Sequence, residues 1–85
     1  MDRAAAFDKV TGIIKPFVKN IEALKGSTDA TRIIEDLGVN SARLVDIILA
    51  FEDEFGISVD DESADKVRTV GDAVQMILLK TATAS

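Results

Sequence analysis

The chain has 85 residues, a formal net charge of −5, no cysteine and no histidine. Such a length supports one small domain, residues 1–85, whose core is too small to enclose a large catalytic cavity. Missing thiols and imidazoles exclude disulfides, thiolate nucleophiles and the commonest general base and metal ligand, and the acidic balance argues against nucleic acid and anionic membranes as partners.

Apolar residues at Phe7, Val10, Ile13, Ile14 and Phe17 have helical spacing, which predicts a first helix from about Arg3 to Lys15 with Asp2 as its N-cap. Pro16 lacks an N–H and crowds the carbonyl four residues back, so the helix should stop or kink near Lys15, with Phe17 and Val18 still anchored in the core. The connection from Lys19 to Ile34 contains Gly26, Ser27, Thr28 and Asp29. At about 16 residues it exceeds ordinary loops, so Ile21, Leu24, Ile33 and Ile34 should pin it, or it should include a short helical turn. Leu37-Gly38 then closes a turn that suits a positive φ.

Ser41 to Phe55 gives the strongest helical signal. At 100° per residue Leu44, Ile48, Phe51 and Phe55 fall within about 60° of one another and should face the core. Asp46 and Asp53 sit together opposite, and Leu49 lies beside them as an apolar residue among carboxylates. Glu52 stands nearer the apolar stripe than its charge favours. Gly56 is a natural stop, Ile57 and Val59 continue the core, and Asp61 to Lys66 reads as one short helical turn. Thr69-Val-Gly-Asp72 is a capping box opening a last helix, with Val70, Ala73, Val74, Ile77 and Leu78 inward and fraying after Lys80 into a polar tail, Thr81 to Ser85. The sum is an all-α chain of three main helices and one short one, with no credible strand.

Charge is uneven along these elements. Residues 1–35 hold six basic and five acidic side chains, whereas residues 36–72 hold ten acidic and three basic ones. An acidic middle suggests steering toward a basic partner surface. Glu52, Asp53 and Glu54 are consecutive and splay around a helix, which suits solvation better than acid–base chemistry. Asp60, Asp61, Glu62 and Asp65 lack the alternation, glycine and terminal glutamate of an EF-hand loop. The N-terminus is too short and too charged for a signal peptide, and no run reaches transmembrane length, so a cytoplasmic protein is expected.

Ser41 at a helix start is most simply an N-cap. With neither histidine nor cysteine to activate it, it cannot be a triad nucleophile. The same position also suits a phosphodiester, which would meet free N–H groups and the positive end of the helix dipole. These residues leave both readings open.

Asp36-Leu-Gly-Val-Asn-Ser41, Leu44-Val-Asp46, Phe51-Glu-Asp-Glu-Phe55-Gly-Ile and Val59-Asp-Asp-Glu-Ser-Ala-Asp-Lys-Val-Arg-Thr-Val-Gly-Asp-Ala-Val74 together resemble the acyl carrier proteins from about Ile33 to Ile77. The resemblance implies a four-helix bundle whose serine, here Ser41, receives 4′-phosphopantetheine from a phosphopantetheinyl transferase using coenzyme A and magnesium. It implies a monomeric non-enzyme whose arm holds acyl groups as thioesters for lipid or other acyl biosynthesis, and whose helices part to shelter the acyl chain. Asp36, Asp46, Leu49, Glu52, Asp53, Val59 and Asp61 match positions that acyl-handling enzymes with basic docking patches contact. The family usually reads Asp-Ser-Leu at the serine, whereas this chain has Asn40-Ser41-Ala42, then Arg43, and its first 32 residues match poorly, which points to a specialised carrier. Alternatives are an aminoacyl or hydroxyacyl cargo in secondary metabolism, and an acidic helical interaction module that is never modified.

Overall fold

The computed structural model describes residues 2–83; Met1, Ala84 and Ser85, and with them the end of the expected tail, lie outside the described residues. Among the described residues five α-helices follow in order: α1 (Arg3–Ile14), α2 (Ile21–Lys25), α3 (Leu44–Phe55), α4 (Asp61–Asp65) and α5 (Val70–Thr83). Three are long and two are single short turns. Among the described residues there is no strand, only an isolated antiparallel bridge between Arg32 and Thr69.

Asp2 caps α1, its carboxylate accepting the Ala5 N–H at 2.7 Å. The helix ends at Ile14, and Lys15-Pro16-Phe17 tightens into a 3-10 turn, as a proline ring behind Gly12 requires. Val18 is buried behind it. The capping box of α5 forms in full: Asp72 N–H donates to Thr69 Oγ1 at 3.0 Å, and Thr69 N–H donates to the Asp72 carboxylate at 3.1 Å. Helix α5 continues past Lys80 to Thr83, a correction to the expected fraying. There the Thr81 hydroxyl donates back to the Ile77 carbonyl at 2.8 Å and so stays within the helix.

Helix α1 packs chiefly on α5 and also on α3, which in turn touches α5. Between them lies a core that includes Val10, Ile14, Ile47, Phe51, Val70, Val74 and Ile77. Met76 belongs to it as well, and the expected stripes omitted both it and Ile47. Two helices pack against α3, so its buried arc is wider than a single stripe.

The long connection includes the expected short helical turn, α2, and not all four of its apolar residues pin it. Leu24 packs against the core and Ile33 is fully buried, but Ile21 and Ile34 are 38% and 40% exposed. Ile33 N–H donates to the Arg68 carbonyl at 3.0 Å, which turns Ile33 inward and its neighbour Ile34 outward. Farther along, Gly71 N–H donates to the Asp29 carbonyl at 3.0 Å. A Cβ on Gly71 would stand 2.8 Å from that oxygen, so the close approach of connection and helix requires glycine.

One pair of hydrogen bonds positions the segment before α3. The Leu37 carbonyl accepts the N–H groups of both Lys19 and Asn20 at 3.1 Å. Gly38 follows with φ of 71°, turning the chain back so that Val39 is buried and Asn40 and Ser41 emerge at the surface.

Candidate functional site around Ser41

Asn40, not Ser41, is the cap. Its side-chain oxygen accepts the Ala42 N–H at 2.9 Å and its carbonyl accepts the Arg43 N–H at 2.8 Å. Ser41 to Arg43 form a 3-10 turn, and the Ser41 carbonyl takes the Leu44 N–H before α3 begins. This corrects the simple N-cap reading of Ser41. It also corrects the expectation of free N–H groups there, since those of Ala42, Arg43 and Leu44 are satisfied within the turn. Ser41 itself is exposed, and among the described residues no hydrogen bond involves its hydroxyl.

Ser41 lies at one end of an open groove of about 520 Å³ between α3 and α4. Its walls include Leu44, Val45, Ile48 and Leu49 from α3, and Val59 and Ala64 from the other side. Glu52, Asp61 and Asp65 place carboxylates along the groove. A second recess shares Leu44, Ala64 and Asp65 and runs on past Val67 and Thr69 to Ile34. Val45 and Leu49 are 64% and 55% exposed, an apolar edge that a lone surface leucine would not make.

Of the seven residues expected to dock partners, the structure gathers Leu49, Glu52, Val59 and Asp61 on this groove with Ser41. Asp36, Asp46 and Asp53 do not line it. Asp53 is exposed farther round α3. Asp46 is paired with Arg43 at 3.1 Å. Asp36 accepts the Arg32 N–H at 2.8 Å and also bonds the Arg32 guanidinium, so it closes the turn before Leu37. Glu52 holds a structural post too: its carboxylate accepts the Val59 N–H at 2.8 Å, which fastens the loop after Gly56 back onto α3. That bond explains a glutamate so near the apolar stripe. Val45, Ala64 and Asp65 were missed as lining residues, and no local signal distinguishes them from other surface positions.

The Arg32 N–H, then its guanidinium, hold the Asp36 carboxyl below its ordinary value of 3.8. Ser63, through its hydroxyl and then its N–H, does the same for Asp60, the N-cap of α4. A carboxyl whose pKa is lower folded than unfolded contributes stability above the unfolded value, and that contribution disappears as pH falls through the folded one. Asp36→Asn is therefore expected to lower the thermal midpoint at pH 7 at low salt. The gap from wild type should close once pH drops well below 3.8; a gap independent of pH would show that charge at Asp36 is not the cause.

Among the described residues no group of three or more acidic side chains could hold a metal ion, and no helix is long and apolar enough to cross a membrane. Capping by Asp60, with Asp61 and Glu62 in the first turn of α4, accounts for the acidic run between Val59 and Lys66.

Comparison with known proteins adds to this geometry. The family model described as "Phosphopantetheine attachment site" matches residues 8–77. The acyl carrier protein of Thermotoga maritima is 41% identical over 75 residues, covering 88% of this chain and 90% of that one. The acyl carrier protein of Lactobacillus acidophilus is also 41% identical, over 91% of this chain and 94% of its own. A solved structure of the acyl carrier protein from Enterococcus faecalis superposes with a TM-score of 0.77 at 35% identity, covering 94% of this chain and 99% of that one. With sequence, fold and family model in agreement over nearly the whole chain, it belongs to the acyl carrier proteins, the phosphopantetheine-bearing carriers that present cargo to enzymes rather than catalyse reactions themselves.

Proposed function

We propose that Ser41 is the attachment point of the 4′-phosphopantetheine arm and that the chain is a cytoplasmic, monomeric carrier of alkyl acyl groups. The observation that carries this reading is the Ser41 side chain: exposed, free of the capping task that Asn40 performs, and placed on a groove with apolar walls and carboxylates along it. When bound, the arm supplies the thiol that the sequence lacks and holds the cargo as a thioester.

The residues fit such a group. Ser41 offers a hydroxyl that no hydrogen bond among the described residues competes for, so a transferase can reach it without unmaking the fold. Leu44, Val45, Ile48, Leu49, Val59 and Ala64 offer apolar walls, against which an alkyl chain can bury its surface. Leu49, Asp53 and Asp61 remain accessible for a phosphopantetheinyl transferase and for acyl-handling enzymes with basic docking patches. Fatty-acid synthesis and a specialised acyl pathway share this chemistry.

Incubation with coenzyme A, magnesium and a broad-specificity phosphopantetheinyl transferase tests the reading by intact mass. The expected result is a single species heavier by one arm. An unchanged mass under conditions that load a control carrier would leave the chain as an unmodified interaction module.

A further inference from the structure

Asn40 uses only half of its side chain to build the turn under Ser41. Its oxygen accepts the Ala42 N–H at 2.9 Å. An amide nitrogen cannot accept such a bond, so the cap fixes which way the side chain faces. The NH2 group is left over: Asn40 is exposed, and among the described residues neither of its side-chain N–H donors meets an acceptor. The Ser41 N–H, among the same residues, has no acceptor either. Donors without a task in the fold therefore adjoin the serine hydroxyl.

Charge decides where an anion attached to Ser41 would settle. Toward α4 the groove carries Glu52, Asp61 and Asp65. On its other side Asn40 lines a shallow cavity of about 440 Å³ that includes Lys19 and Arg43 and no carboxylate. Asp36 and Asp46, the acidic residues nearest Ser41 in sequence, are engaged by Arg32 and Arg43. An anion is thus repelled from the groove and tolerated beside Asn40.

We propose that Asn40 is a positioning residue for the arm: while its oxygen caps the turn, its NH2 group donates to the phosphodiester oxygens on Ser41. The proposal rests on the carrier reading of Ser41. A hydrogen bond to an anionic oxygen is stronger than one between neutral groups. Aspartate would cap the turn as well as asparagine does, but it has no N–H to donate and would set a like charge beside the phosphate. Asn40 caps without repelling, and it holds what is attached next to it. The departure from Asp-Ser-Leu thereby gains a physical purpose.

The test compares NMR spectra of the chain before and after loading by a broad-specificity transferase. The sequence has three side-chain amides, Asn20, Asn40 and Gln75. Asn20 is the internal control, since it caps α2 in the same way, accepting the Ala23 N–H at 3.1 Å. On loading, the Asn40 NH2 resonances should shift downfield while those of Asn20 and Gln75 stay in place. The phosphorus line of the arm, broadened where the phosphate tumbles with the protein, should narrow in Asn40→Asp and in Asn40→Gly. Both variants lack the donors; the first keeps a capping oxygen and the second adds no charge. Spectra of the unloaded variants report the fold, and if the glycine chain unfolds, the aspartate chain decides alone. An Asn40 amide that does not move, or a phosphorus line as broad in the folded variants as in wild type, overturns the proposal and leaves the carrier reading standing. A wild type that takes no arm overturns both.

Discussion

Ser41→Ala is expected to abolish addition of the phosphopantetheine arm while leaving the folded chain unchanged. The first half follows from the proposed attachment: no other residue of the chain would take the arm, so the mass of the variant should not move under conditions that convert the wild type. The second half follows from geometry. The hydroxyl is exposed and enters no hydrogen bond among the described residues, and the cap belongs to Asn40. Losing a true cap would cost about 0.5–2 kcal/mol, whereas a surface substitution away from such features changes stability by no more than about 0.5 kcal/mol. Urea unfolding of both chains, read beside intact mass, separates the two roles. An arm still added to the alanine chain would move the attachment to another hydroxyl. A large loss of stability would restore the serine to a structural post.

The difference between Asn40 and Ser41 shows where reading the sequence reaches its limit. Both residue types make good N-caps, and they are adjacent, so propensity cannot say which one closes the turn. Features decided by neighbours along the chain were legible: the Asp2 cap, the stop before Pro16, the αL glycine at Gly56 and the Thr69–Asp72 capping box. Features decided across the fold were not. Glu52 is explained only by the N–H of Val59, seven residues on and beyond a turn. Gly71 is explained by the Asp29 backbone, and the outward Ile34 by the bond from Ile33 to Arg68. The groove was legible in part: Leu49 stood out among carboxylates, while Val45, Ala64 and Asp65 gained their place only when α4 packed beside α3. The resemblance carried the identity, but it could not show that three of the expected docking residues lie off the groove.

Phe51→Ala should cost about 3–5 kcal/mol, the range for removing a large aromatic side chain from a packed core. Phe51 is fully buried at the middle of α3, the helix that packs on both α1 and α5. Its ring lies 6.4 Å from that of Phe55, tilted by 55°, so truncation also loses an aromatic contact worth roughly 0.5–1.5 kcal/mol. At about 0.05–0.15 kcal/mol per residue, a chain of 85 residues is stabilised by about 4–13 kcal/mol in all. One substitution therefore removes about a quarter of the stability or more. In urea the midpoint should fall sharply with little change in slope, because the surface exposed on unfolding is nearly the same. Arm addition, by contrast, should persist in the fraction that remains folded, since Ser41 is held by the Asn40 turn and by the Leu37 carbonyl rather than by the ring. A loss below about 1 kcal/mol, typical of a residue outside the core, would place Phe51 outside the packing that holds α3. Loading lost in chains that are still folded would mean that the groove and the serine depend on the core beneath them, and that attachment and fold are one cooperative unit.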